Sequence, residues 1–216
     1  MIFELIAFII KWIIRRLLRQ KDLFMKFCIV LGSCRAQSNT NALCQGFIDQ
    51  LKELGQEVEY VTLFDKQISP CKGCYACQQE EGYSCQISDD MHRIAPKIIQ
   101  ADVLVLATPI YHWYCTAEMK AMLDRLYPLN KYYGKAKNSL WNNKKLALIL
   151  THGYDKDYAC SPFITGMQRL AKHSHIEYVG EYTVQDEDDI NSFTAESAQQ
   201  GARVFAKMLV NMCNNG

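Results

Sequence analysis

Apolar and polar positions fall into alternating blocks along this chain. A short apolar run at 27–31 reads as a buried strand, which stops at Gly32, a glycine that allows a tight turn, and passes through small and polar residues into an amphipathic helix from 39 to about 54. Gly55 ends that helix, and 58–63 supplies a second strand. A loop at 65–70 and a cysteine-rich stretch follow; the acidic sequence Ser88-Asp89-Asp90 then starts a helix running to about 100. Residues 102–108, DVLVLAT, form a continuous apolar strand of the kind buried on both faces. The pattern continues with a helix at 116–127, a strand at 144–150, a helix from 161 to about 173, a strand at 176–184 and a closing helix at 195–212. Five strands alternating with five helices predict an α/β domain: an open, doubly wound, five-stranded parallel sheet with helices on both faces and right-handed crossovers.

In such a sheet ligands bind beyond the carboxyl ends of the strands, where the order reverses. With the order 2-1-3-4-5 that point lies between the first and third strands. The loops leaving the first, third and fourth strands then converge on one cleft. The first offers the hydroxyls of Ser33, Ser38 and Thr40, the amide of Asn39 and the free N–H groups of a helix N-terminus. Arg35 adds a fork-shaped permanent cation. The loop is neither GxGxxG nor GxxxxGK[ST], which favours a monophosphate over a dinucleotide or a nucleoside triphosphate. Two readings stay open for this loop alone: a phosphate pocket, or an ordinary connection whose Ser and Asn residues cap the helix. The second loop, Pro109-Ile110-Tyr111-His112-Trp113-Tyr114, is aromatic, and the third is Thr151-His152-Gly153. Beside a phosphate pocket, aromatic side chains stack on a flat ring while backbone N–H groups bond its polar edge; alone, they would read as core or as a dimer surface. Lys120 and Asp124, four apart, read as a surface ion pair.

Length and charge narrow the choice. The 216 residues suit one domain with a real core, and 24 Lys and Arg against 23 Asp and Glu argue against a nucleic-acid partner. The QDEDDIN stretch at 185–191 reads as a solvated acidic loop. Residues 1–24 form an extension distinct from the domain at 25–216. Its longest apolar run, 5–10, falls short of the roughly 20 residues that a bilayer crossing needs. Glu4, Lys11, Arg15 and Arg19 share one helical face, so residues 1–21 suit a helix lying in a membrane interface, with peripheral membrane contact for a cytoplasmic domain. Met25 directly precedes the first strand, and the other reading of the extension is sequence upstream of a later start.

The chain has ten cysteines and no secretory signal pattern, which points to reduced thiols, metal ligation or redox chemistry in the cytoplasm. Cys71, Cys74, Cys77 and Cys85 form C-x2-C-x2-C-x7-C, and the spacing of the first three lets a turn present their sulfurs to one point. Four thiolates suffice for a 4Fe-4S cluster, and also for zinc; a redox-sensing thiol without metal is the third reading. Cys28, Cys44 and Cys213 read as small core residues.

The combination of GSCRAQSNT, PCKGCYAC, the DDM before the second helix, TPIYHW and MKAMLDR, in this order over most of 26–125, resembles the flavodoxin-like NADPH-dependent FMN reductase family. The resemblance implies FMN as cofactor and NAD(P)H as co-substrate. Ser33, Arg35, Ser38, Asn39 and Thr40 would hold the FMN phosphate; Pro109, Ile110, Tyr111, His112 and Trp113 would lie along the isoalloxazine, and Thr151 to Gly153 would close its other side. The flavin accepts hydride and passes electrons on, so no catalytic side chain is implied. The cysteine motif resembles that of iron-sulfur flavoproteins, a branch of the family whose cluster relays single electrons. The resemblance also implies a homodimer. The expectation is therefore an FMN-dependent NAD(P)H oxidoreductase with a small-molecule or protein electron acceptor. Its competitors are an iron-sulfur electron-transfer module without direct NAD(P)H turnover, and a non-enzymatic redox sensor.

Overall fold

The computed structural model describes residues 24–132, 138–187 and 192–214. The extension expected to lie in a membrane interface falls outside the described residues, and among these no helix is long and apolar enough to cross a membrane. The elements run β1 (Lys26–Leu31), α1 (Asn39–Glu53), β2 (Glu57–Thr62), α2 (Met91–Gln100), β3 (Val103–Pro109), α3 (Ala117–Asp124), β4 (Lys145–His152), α4 (Lys156–Ser174), β5 (Glu177–Gln185) and α5 (Glu196–Asn214). A two-residue antiparallel ribbon, Asn130–Lys131 with Asn138–Ser139, lies between α3 and β4. The sheet order is β2-β1-β3-β4-β5 with every pair parallel, the expected flavodoxin-like order 2-1-3-4-5.

Strand side chains alternate between faces, so the apolar runs of β1, β3 and β4 split into two cores. Cys28, Val30, Leu104, Leu106, Leu146 and Leu148 pack with α2, α3 and α4. Phe27, Ile29, Leu31, Val103, Val105 and Ile149 pack with α1 and α5. Cys28 and Cys44 are fully buried, and burial pushes both thiols up to about 12; Cys213 is half-buried.

Chain punctuation works largely as expected. Gly55, at φ 73°, follows α1 and donates to the Lys52 carbonyl, while Gln56 N–H reaches the Leu51 carbonyl, a Schellman closure. Gly32 differs from expectation: it sits at no positive φ, and a Cβ there would stand 2.8 Å from both Cβ and Cε of Met119. Close approach of α3, rather than turn geometry, requires the glycine. The fourth helix begins at Lys156 instead of 161, because the Asp155 carboxylate accepts from the N–H groups of Asp157 and Tyr158 and Pro162 is accommodated inside the helix. The third helix stops at Asp124, and a 3-10 turn at Tyr127–Leu129 containing Pro128 replaces its expected last turn.

Candidate functional site

Beyond Leu31 the backbone bends outward and re-enters as α1. Ser38 caps that helix, its Oγ accepting from Asn41 N–H at 3.2 Å. Asn41 anchors the loop from within, donating through Nδ2 to the Ala36 carbonyl at 2.7 Å and accepting from the Tyr60 hydroxyl at 2.7 Å. Ser33 and Thr40 are buried while Arg35 is exposed at the rim. The Thr40 hydroxyl bonds the Thr151 hydroxyl at 2.8 Å, fastening the first turn of α1 to the end of β4.

The aromatic loop is a tight reversal. Tyr111 and Tyr114 exchange both backbone hydrogen bonds, at 2.8 and 3.0 Å, and the two residues between them, His112 and Trp113, have φ of 49° and 62°. Positive φ at both central positions is the type I′ geometry that Asn-Gly ordinarily fills, so a His-Trp pair here is strained. Ile110 N–H donates to the Thr151 carbonyl at 2.8 Å, holding this loop to β4. Trp113 meets the edge of Tyr158 with centroids 5.7 Å apart, and Tyr158 meets Tyr154 at 5.9 Å. Burial, together with the neighbouring Cys34 thiol, raises the pKa of the Tyr111 hydroxyl, with Arg35 opposing.

These loops enclose two adjoining cavities that share Ile110 and Gly153 as walls. The first, about 150 Å³, is lined by Ser33, Arg35, Ser38, Asn39, Thr40, Pro109, Ile110, Tyr111, Thr151 and Gly153. The second, about 570 Å³, is lined by Ile110, His112, Trp113, Gly153 and Tyr154. The residues expected at the flavin site thus all surround this pair.

Asp186, Phe193 and His152 also line the first cavity, His152 as part of the Thr151 to Gly153 stretch expected there. Asp186, which the sequence alone places in a solvated loop, accepts from Asn39 Nδ2 at 3.4 Å, and Phe193 is buried on the same cavity. The signal for Asp186 was its place just past the carboxyl end of β5, on the same edge as the other loops. His152 is 5 % exposed; its Nδ1 lies 2.6 Å from the Tyr154 carbonyl, which can only accept, so that nitrogen carries the proton. Its Nε2 is buried and has no partner among the described residues. A monophosphate linked to a flat ring fits this pair of cavities: hydroxyls, a cation and a helix N-terminus at one end, aromatic walls at the other, and an unmet ring nitrogen on the wall of the first.

Cys71, Cys74, Cys77 and Cys85 line a third cavity, of about 250 Å³, which shares no residue with the other two. Tyr75, in the left-handed region at φ 57°, turns the chain into a 3-10 turn at Ala76–Gln78 that buries Cys77, while Cys71 and Cys74 stay exposed. Among the described residues no three His, Cys, Asp or Glu side chains are drawn together as a metal-holding group. The expectation that one turn gathers the sulfurs to a point is therefore corrected: the reversal at Tyr75 sends Cys77 inward and leaves its two predecessors outside. By number and chemistry the four thiols still suit a thiophilic occupant of the cavity they share. The loop is fastened by buried polar groups. Lys131 Nζ donates to the Cys77 carbonyl and to Ser84 Oγ, and Gln78 bonds the Asn130 carbonyl at 3.0 Å and Tyr132 N–H at 3.1 Å. Burial raises the pKa of Cys77, opposed by the charge of Lys131. Lys120 and Asp124 form the expected half-exposed ion pair at 2.6 Å.

The model of the NADPH-dependent FMN reductase family matches residues 25–159. An iron-sulfur flavoprotein of Methanocaldococcus jannaschii is 38% identical over 105 residues, 49% of this chain and 53% of that protein. One from Methanosarcina thermophila is 32% identical over 116 residues, 54% of this chain and 60% of that protein. The chain spans about half the length of the curated relatives it matches. Among solved structures, an NAD(P)H:quinone oxidoreductase from Methanothermobacter marburgensis superposes with a TM-score of 0.67 at 16% identity, covering 86% of this chain and 96% of that one. An FMN-dependent NADH-azoreductase from Bacillus anthracis, in complex with FMN, gives 0.59 at 12% identity, covering 87% and 98%. These two likenesses establish the shared fold. The family match covers β1 through the start of α4, including all three loops at the carboxyl edge: the chain belongs to the NADPH-dependent FMN reductase family.

Proposed function

We propose that this chain is an FMN-dependent oxidoreductase that takes electrons from NAD(P)H and delivers them to a small-molecule or protein acceptor. The observation that carries this reading is the pair of adjoining cavities, one lined by anion-binding groups and the other walled by rings, at the switch point of the sheet. FMN, when bound, supplies hydride acceptance and electron delivery in one- or two-electron steps. The chain's own groups bind and orient. Arg35, Ser38, Asn39, Thr40 and the N–H groups of α1 take the phosphate; Ile110 and the strained His112-Trp113 turn present backbone and rings to the flat end; Thr151 and Gly153 face them. The exposed Trp113 and Tyr154 leave the second cavity open to a planar donor or acceptor. Cytoplasmic residence and a homodimer complete the proposal, and a monomeric mass in solution would remove the latter.

A second reading adds a 4Fe-4S cluster and an electron-transfer role between proteins. It is favoured by the four cysteines sharing one cavity and by the iron-sulfur flavoproteins among the relatives. Cys71, Cys74, Cys77 and Cys85 would hold the cluster, which would supply single-electron transfer. Asp124 and Arg125, at the C-terminal end of α3, line the cysteine cavity, and Thr116, which caps the other end of that helix, donates to the Gly32 carbonyl next to Ser33 of the first cavity.

The experiment is an absorbance spectrum with iron and sulfide analysis on protein purified without oxygen, followed by NAD(P)H oxidation with a soluble acceptor. Flavin bands with steady turnover support the first reading. Flavin with iron and sulfide but no turnover selects the second, and protein that neither carries nor takes up FMN sinks both.

A further inference from the structure

Two buried side-chain atoms lack partners among the described residues: His152 Nε2, in a residue lining the first cavity, and Arg125 Nε, in a residue lining the cysteine cavity. Arg125 is 1 % exposed, and its terminal nitrogens are fully engaged. NH1 donates to the Ser69 carbonyl at 2.8 Å and to Asp89 Oδ2 at 2.6 Å. NH2 donates to the Ile87 carbonyl at 3.1 Å and to Asp89 Oδ1 at 3.0 Å. Ser69 lies two residues before Cys71 and Ile87 two residues after Cys85. One guanidinium therefore grips both ends of the cysteine loop, and Asp89 braces the same point by accepting from the N–H groups of Ser69 and Met91.

The fifth donor of the fork, Nε–H, cannot accept, and among the described residues no acceptor meets it in hydrogen-bond geometry. Arg125 lines a cavity that carries four sulfurs, and of these Cys85 is near enough to the guanidinium both to reinforce its positive charge and to accept a hydrogen bond from it. Sulfur, above all as thiolate or as sulfide in a cluster, is an acceptor of the matching sign.

We propose that Arg125 is the positioning residue of the cysteine loop: it closes the two ends of the loop with or without an occupant, and reserves its Nε–H for a sulfur of whatever the four cysteines hold. The closure half stands on the hydrogen bonds alone; the donor half rests on the second reading above.

The test uses the full chain, FMN-loaded and stripped of iron by chelation, as wild type, Arg125→Gln, Arg125→Lys and Asp89→Asn. Hydrogen exchange of the amides in 71–85 should quicken at least tenfold in Arg125→Gln while FMN content per chain stays unchanged. Asp89→Asn, which keeps the cation and loosens its brace, reads the same closure should Arg125→Gln fail to fold. Wild-type exchange rates in both variants would overturn the closure. After reconstitution with ferrous iron and sulfide, Arg125→Lys, which keeps the charge but loses Nε–H, should hold a cluster of more negative midpoint potential than wild type, because a donated hydrogen bond favours the reduced, more negative state. An unchanged potential overturns the donor role. A wild type that takes up no iron while Arg125→Gln still loses protection removes the second reading, and the donor half with it, and supports the closure by itself.

Discussion

The Thr40 and Thr151 hydroxyls, both in buried residues that line the first cavity, bond each other at 2.8 Å and join the start of α1 to the end of β4. Thr151→Val leaves the Thr40 hydroxyl buried without its partner, and should cost about 1–3 kcal/mol of stability and weaken FMN binding. The double variant Thr40→Val/Thr151→Val should recover most of that stability, because two matched apolar groups carry no unmet polar atom, yet bind FMN no better. Urea denaturation with FMN titration on all three variants checks this.

Arg35 stands exposed at the rim of the same cavity. Loss of a charge-assisted contact to phosphate is worth about 1.5–3 kcal/mol, so Arg35→Ala should weaken FMN roughly 10- to 150-fold. Riboflavin, which lacks the phosphate, should bind both proteins alike; fluorescence titration of the two flavins separates the outcomes.

His152 has one satisfied ring nitrogen and one that no partner meets among the described residues. With Nδ1 donating to Tyr154, the neutral ring offers Nε2 as an acceptor, which suits a ligand hydroxyl rather than a phosphate dianion. His152→Ala should reduce FMN affinity by about 1 kcal/mol, roughly fivefold, and leave the affinity for inorganic phosphate unaltered. Calorimetric titration with each ligand is the check.

The His112-Trp113 turn stores strain at a position facing the second cavity. Replacing the pair by Asn-Gly should relieve about 1–2 kcal/mol and raise Tm by roughly 2–8 °C in FMN-free protein. The same change removes the Trp113 ring from its contact with Tyr158, so NAD(P)H oxidation should fall as Tm rises, measured on one preparation.

Acid should loosen the clamp on the cysteine loop. Burial opposes ionisation of Asp89, but bonds from Arg125, Ser69 and Met91 outweigh it and hold its carboxyl below the usual carboxylate range. A carboxyl lowered in the folded state stabilises above its unfolded pKa of about 3.9 and loses that contribution as pH falls through its folded pKa. Stability should therefore decline below about pH 4. Asp89→Asn, which strands a buried guanidinium, should cost about 3–5 kcal/mol at neutral pH and flatten that acid dependence. Denaturation midpoints from pH 2 to 7 test both.

The sequence by itself determined the alternation of strands and helices, the parallel sheet and the convergence of three loops at its carboxyl edge. Each follows from local physics: apolar runs long enough to be buried on both faces, punctuated by Gly55, the Ser38 cap and the Asp89-Asp90 turn. It also marked the residues around the first two cavities, because hydroxyls before a helix and rings after a strand are visible at short range. What tertiary structure alone decided is contact between distant positions. Gly32 reads as a turn residue until Met119 arrives against it. Asp186 reads as solvated until the end of β5 is placed beside Asn39. Arg125 carries no local sign that it grips Ser69, Ile87 and Asp89, which lie 56, 38 and 36 residues earlier in the chain. Spacing shows which cysteines are neighbours in sequence; the reversal at Tyr75 and the buried cation at the base of their loop decide where those sulfurs stand, because both depend on what the loop packs against.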